Sequence, residues 1–323
     1  MITIDKIKEA RDRISDYINS DNIIHDLALS KMLNAEIYLK LENLQRTGSF
    51  KIRGSLNKIL SLNEAERAKG IIAASAGNHA QGVALACLLT NTRCTIVMPE
   101  NAPKSKIEAT KLYGADIILS GSNFDGALKT ALEVQKLQQL TFVHAFDDEE
   151  VISGQGTIGL ELIEQVKGLD TIIVPVGGGG LISGIAIAAK TLNPEVKIIG
   201  VEVENVPSLT KAFEFDRSIE VEPSKTIADG INVQKIGLIT FEICKQYVDE
   251  IVTVSEKEVK EAILFLLAKD KILAEGAGAV AYAGVLSEKI KLIQNTNVTI
   301  IISGGNIDLS KLNEILNENI NDG

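Results

Sequence analysis

The sequence predicts an α/β protein of two lobes, each built on an open, mostly parallel sheet flanked by helices. Three observations carry that prediction. Short, β-branched and almost continuously apolar runs recur along the chain, as strands buried on both faces require. Helical stretches separate them, which is the alternation that parallel strands need for their crossovers. The 323 residues amount to about two domains at roughly 150 residues each.

In chain order, residues 5–20 place Ile7, Ala10, Ile14, Tyr17 and Ile18 at helical spacing, a face that must pack on something else. The run EIYLKL at 36–41 is the first predicted strand, followed by a helix over 55–68. Apolar runs at 71–74, 94–98, 116–119 and 141–145 then alternate with helical stretches at 78–90, 103–113 and 123–138, forming one group of strands. A second group comprises 171–176, 197–203, 250–254 and 298–302, with helices predicted at 156–167, 181–192, 257–270, 276–286 and 309–320. No repeat, low-complexity tract or Pro/Ser/Gly-rich linker interrupts the pattern, so two lobes with a crevice between them are expected.

Composition narrows the chemistry. The chain carries a net charge of −10 and only eight Phe, five Tyr and no Trp, a poor basis for holding a phosphate backbone or stacking bases. No nucleic-acid partner is expected. Three cysteines (Cys87, Cys94, Cys244) give neither a disulfide framework nor closely spaced zinc ligands, and His25, His79 and His144 lie far apart without an HExxH. The longest apolar stretch, AILFLLA at 262–268, is far too short for a membrane span, and the charged N-terminal segment does not read as a signal peptide. A cytoplasmic protein with no membrane partner is expected, one whose chemistry rests on few side chains or on a borrowed reagent.

Four motifs look like parts of one site. In VPVGGGGLISG (174–184), four glycines between an apolar strand and a helix offer backbone N–H groups at a helix N-terminus, a phosphate cradle in principle. The bland alternative is a tight turn, and a looser GxGxxxG (Gly178, Gly180, Gly184) with Glu202 at the end of the next strand keeps a dinucleotide site open. In LENLQRTGSFKIRG (41–54), Lys51 sits between Phe50 and Ile52, where apolar surroundings lower an amine pKa toward nucleophilic use; a surface lysine is the plain alternative. In AASAGNHAQG (73–82), Ser75, Gly77, Asn78 and His79 crowd a strand-to-helix turn that suits a carboxylate, or is simply an N-cap. The run IIISGGN (300–306) delivers Ser303 to the end of a strand, the edge where ligands bind in open α/β sheets.

In this order and spacing, SFKIRG, SAGNHAQG, VGGGGL and SGGN resemble the fold-type II pyridoxal-phosphate enzymes, and among them the threonine dehydratase and serine racemase group. The resemblance runs from about residue 5 to about 310. QRTGSFKIRG, APKSK (102–106), TIADG (226–230) and AEGAGA (274–279) are most similar to the short catabolic threonine dehydratases, without the regulatory domain of the biosynthetic form.

The resemblance implies a tryptophan synthase β-like fold, with residues 1–69 and 148–323 as the large cofactor-binding domain and 70–147 as a small domain mobile over the crevice. It implies pyridoxal 5'-phosphate as cofactor, joined to Lys51, which then serves as the base at the substrate Cα. Gly177, Gly178, Gly179, Gly180 and Leu181 would hold the phosphate, Asn78 the ring hydroxyl and Ser303 the pyridine nitrogen, with Phe50 beside the ring. Ser75, Gly77, Asn78 and His79 would receive the substrate carboxylate.

The activity implied is α,β-elimination from L-threonine to 2-oxobutanoate and ammonia, and from L-serine to pyruvate. A serine racemase or hydroxyaspartate dehydratase of the same group is the near alternative, and a nucleotide-binding oxidoreductase the distant one. Ala76 stands where the racemases carry a second acid/base serine, and Val206 and Ser208 stand beside Glu202 where they carry cation ligands, so weak racemisation and no required metal are expected. The group also implies a homodimer or homotetramer, and an AMP-type effector site at Arg46, Thr47, Gln81, Tyr113 and Asn306.

Overall fold

The computed structural model describes residues 2–321. Among these residues, ten strands form two sheets: β1 (Ile23–His25), β2 (Glu36–Leu41), β3 (Ile71–Ala74), β4 (Cys94–Met98), β5 (Asp116–Leu119), β6 (Thr141–Phe142), β7 (Leu169–Pro175), β8 (Lys197–Val203), β9 (Glu250–Val254) and β10 (Asn297–Ile302). The larger sheet has the order β1-β2-β10-β7-β8-β9 and the smaller β5-β4-β3-β6. Every pairing is parallel except β1 with β2, where Ile24 lies opposite Leu39. Strand β1 is too short to stand out in the sequence, and it caps the sheet's edge.

Helices in the first half are α1 (Ile4–Ile14), α2 (Leu27–Leu33), α3 (Lys51–Ser61), α4 (Glu64–Lys69), α5 (Asn78–Leu89), α6 (Lys104–Lys111), α7 (Phe124–Gln138) and α8 (Glu149–Gln165). The second half adds α9 (Gly180–Leu192), α10 (Ser208–Glu214), α11 (Leu238–Tyr247), α12 (Glu256–Phe265), α13 (Gly276–Leu286) and α14 (Leu309–Asn321). Ile172, Val174, Ile182 and Ile185 pack β7 against α9 on one face of the larger sheet, while Ile300, Val280 and Tyr282 close the other with α13. Around the smaller sheet, Ile52, Leu56 and Ile59 of α3 join Ile71, Ala80 and Val83 in a shared core.

Capping decides where several elements depart from the sequence reading. The helix expected over 55–68 is two, because Asn63 and Glu66 form a capping box that starts α4 afresh. Helix α3 begins four residues earlier than expected, at Lys51. The helix expected to start at 156 starts at Glu149, where the Asp148 carboxylate accepts from the amides of Glu150 and Val151. Its glycines are there for contact: a Cβ at Gly154 would lie 2.6 Å from the Arg53 carbonyl. The N-terminal helix expected over 5–20 ends at Ile14 in a 3-10 turn, and the one expected to 270 ends at Phe265 in a π turn.

Candidate active site

Four parallel strands deliver their carboxyl ends to one cleft. Strand β3 ends at Ala74 before the Ser75 turn, β6 at Phe142, β7 at Pro175 before the glycines, and β10 at Ile302 before Ser303. The cleft holds about 920 Å³, and Lys51, Ser75, Asn78, Gly177–Gly180 and Ser303 all line it. The expected strand 141–145 stops at Phe142 because the chain turns away: the His144 ring accepts, at Nδ1, from the amides of Phe146 at 3.3 Å and Asp147 at 2.8 Å. That turn brings residues 144–147 into the cleft wall.

Lys51 is the first residue of α3, and the loop before it is stitched to the end of β10. The Phe50 amide donates to the Ser303 carbonyl at 3.2 Å, and the Gly305 amide to the Gly48 carbonyl at 2.9 Å. Lys51 Nζ donates to the Ala145 carbonyl at 2.9 Å and lies 5.0 Å from the Phe50 ring centroid. Among the described residues no carboxylate pairs with it. Burial therefore acts unopposed and brings its pKa from 10.5 down to about 8.

The tetraglycine turn joins β7 to α9. Gly179 has φ +89°, a conformation that disfavours any side chain, and a Cβ at Gly178 would lie 2.3 Å from the Phe146 ring. No side chain caps α9, so the first N–H groups of the helix are orphan donors at its positive end. This donor set fits a phosphate. The dinucleotide reading loses its support. A Cβ at Gly184 would lie 2.4 Å from the Ile152 carbonyl, so this glycine serves packing of α9 on α8. The Glu202 carboxylate is fully buried and accepts from the amides of Leu209 and Thr210 and the hydroxyl of Thr210, capping α10.

In the Ser75 turn, Ser75 Oγ accepts from the Gly77 amide at 3.1 Å, and α5 starts at Asn78 with no side-chain cap. Asn78 is held from both sides: its amide nitrogen donates to Glu275, and its Oδ1 accepts from Asn306 Nδ2 at 2.8 Å. His79 turns inward, with Nε2 3.0 Å from the Val143 carbonyl, and burial pushes its pKa down to about 3. Its contribution to the turn is therefore backbone. Ser303 is buried with its hydroxyl 3.3 Å from the Ala277 carbonyl.

The five residues of the expected effector site divide. Arg46 is exposed and its carbonyl accepts from the Tyr113 hydroxyl at 3.3 Å, Thr47 is buried and its carbonyl accepts from Asn306 Nδ2 at 2.7 Å, and Gln81 lines the cleft. Sequence reasoning missed His144, Phe146, Asp229 and Glu275 in the cleft wall. Asp229 and Glu275 lay inside the TIADG and AEGAGA motifs and His144 inside the expected strand 141–145, but none of them was given a place in the site. Among the described residues no group of His, Cys, Asp and Glu is arranged to hold a metal, and no helix is long and apolar enough to cross a membrane.

A desolvated lysine facing a glycine-built anion cradle at the carboxyl ends of parallel strands defines an enzyme that works through a phosphorylated aldehyde. The chain belongs to the pyridoxal-phosphate dependent enzymes, whose family profile matches residues 14–304. It is 51% identical over 320 residues to L-threonine ammonia-lyase of Thermotoga maritima, spanning 99% of this chain and 79% of that protein. It is 45% identical over 315 residues to the catabolic L-threonine dehydratase TdcB of Escherichia coli K12, spanning 97% and 96%. Maize serine racemase is similar in structure, with a TM-score of 0.93 at 35% identity, covering 99% of this chain and 98% of that one.

Proposed function

We propose that this enzyme deaminates L-threonine to 2-oxobutanoate and ammonia by α,β-elimination, and L-serine to pyruvate in the same way. The observation that carries the reading is the meeting of the Lys51 amine, the amides of Gly177–Leu181 and the Ser303 hydroxyl in one cleft. The similarity to an L-threonine ammonia-lyase and a catabolic L-threonine dehydratase supports the substrate.

Bound pyridoxal phosphate supplies the electron sink that acidifies the substrate Cα–H and lets the β-hydroxyl depart. The amides of Gly177, Gly178, Gly179, Gly180 and Leu181 would hold its phosphate, Asn78 its ring hydroxyl and Phe50 its flank. Lys51 would hold it through the amine, and that amine, when free, would take the proton from the substrate Cα. The Ser75–His79 turn would receive the substrate carboxylate on backbone N–H groups at the start of α5. Ser303 would face the ring nitrogen with a neutral hydroxyl, which gives less charge stabilisation than a carboxylate and suits loss of a β-group over transamination. Water lost at the β-carbon is regained when nitrogen leaves as ammonia.

The same reading makes residues 70–147 a unit that moves over the cleft, and makes the enzyme a cytoplasmic homodimer or homotetramer. It assigns Arg46, Thr47, Gln81, Tyr113 and Asn306 to an AMP-type effector. A racemase is disfavoured because Ala76, in the cleft wall, offers no proton to the second face. Three measurements test the whole. Purified protein is expected to be yellow, with a visible band lost on borohydride treatment and absent in Lys51→Ala. 2-Oxo acid is expected to form faster from L-threonine than from L-serine, and equal or faster turnover of 3-hydroxyaspartate would overturn the substrate. Light scattering and rates with and without AMP test assembly and effector together.

A further inference from the structure

His144 lines the cleft with the roles of its ring nitrogens set by hydrogen bonds, and the proposed mechanism gives it no task. Its Nδ1 accepts from the Phe146 and Asp147 amides at 3.3 and 2.8 Å, so the proton of the neutral ring resides on Nε2. Edge-on contacts hold the ring plane, with centroids 6.2 Å from Phe142 and 4.7 Å from Phe146. The next residue receives the Lys51 amine on its carbonyl, and Phe146 packs on Gly178, so His144 lines the cleft in the same turn that touches the reacting lysine and the phosphate cradle. Burial, the largest effect, lowers its pKa; the Asp147 and Asp148 charges pull upward and the Lys51 charge downward, and the net shift is down, toward the neutral ring.

The glycine amides serve the phosphate, the α5 amides the carboxylate, and Ser303 the ring nitrogen. The β-hydroxyl oxygen of L-threonine or L-serine is left as an acceptor, and in the cleft wall His144 Nε2–H is a donor whose ring is held through Nδ1 and by two aromatic edges. Building on the proposed deamination, we propose that His144 donates this hydrogen bond to the β-hydroxyl and so selects amino acids with an oxygen leaving group. As the Cβ–O bond breaks, its electron pair goes to oxygen and the bond strengthens. The oxygen leaves as water, its second proton matching the one that Lys51 takes from Cα. His144 begins and ends the step neutral.

The test compares His144→Phe and His144→Gln holoenzymes on L-threonine, L-serine and β-chloro-L-alanine, whose chloride needs no such donor. Glutamine offers both an acceptor for the two amides and a donor for the substrate. With cofactor absorbance retained, His144→Phe is expected to lose at least about tenfold in kcat/KM on the two hydroxyl substrates and far less on β-chloro-L-alanine. His144→Gln is expected to stay within roughly threefold of wild type on all three. Equal losses on all three substrates, no loss in His144→Phe, or a collapse of His144→Gln on the hydroxyl substrates would overturn the inference. These comparisons presuppose wild-type turnover of threonine or serine; wild-type protein that eliminates chloride but deaminates neither would overturn the proposed function, and this inference with it.

Discussion

Lys51 would be protonated at neutral pH on a water-exposed surface, with under about a thousandth of it neutral. In the cleft, with a pKa near 8, about a tenth of the amine is free at pH 7. Uptake of pyridoxal phosphate by apoenzyme, followed by visible absorbance, is therefore expected to speed up roughly tenfold between pH 7 and 9. A flat profile would contradict the desolvated amine. Gly178→Ala forces a Cβ into the Phe146 ring and is expected to weaken cofactor affinity by tenfold or more, about 1.4 kcal/mol, measured by equilibrium titration. At this scale the sequence was informative wherever residue type limits chemistry: a lysine among apolar neighbours, four glycines, a serine at a strand end. Glu202 misled because its position at the end of a strand suited a dinucleotide site, whereas burial and donors from Ser208, Leu209 and Thr210 of α10 occupy it.

Helix α3 carries Lys51 at its first position, and a buried ion cluster centred two residues on, at Arg53, anchors it. Arg53 Nε and Nη2 each donate to Glu42 at 2.8 Å, the same guanidinium reaches both oxygens of Glu161, and Lys40 lies 2.8 Å from Glu161. All four side chains are nearly or fully buried, so the cluster ties α3 to β2, the turn after it and α8 at a point where water cannot compete. Arg53→Met leaves two carboxylates facing one lysine and is expected to cost about 3–5 kcal/mol, read from the denaturant midpoint. Loss under about 1 kcal/mol would mean that the cluster breaks even with apolar packing. None of this was legible beforehand, since nothing in the local sequence of Arg53 shows that Glu42, Glu161 and Lys40 converge on it. Strands with unbroken apolar runs were legible almost to the residue, as at β3, β4 and β8. Elements set by side-chain caps, such as α4 and α8, were not, because a cap is a local contest that periodicity does not report.

Across the whole molecule, two lobes and a crevice followed from the grouping of strands, but not what bridges them. Lys106 of α6 pairs with Asp229 at 2.7 Å, and Ser105 donates to Asp308 at 3.1 Å, so both ties run from the smaller lobe to the rim of the larger. If residues 70–147 move, these ties close first. Lys106→Ala is expected to raise KM for threonine more than it lowers kcat, and to speed amide exchange in 104–111. Unchanged exchange there would contradict a latch. The order of the larger sheet has a consequence for how the chain is made. Strand β10, at 297–302, is threaded between β2 and β7, whereas the smaller sheet comes entirely from residues 71–142. A nascent chain can pair β3 to β6 before residues 169–302 have been translated, but the larger sheet keeps a gap at its centre until β10 emerges. Ser303 and the tether that sets Lys51 arrive with β10, so the reactive centre is completed only once that strand has been made.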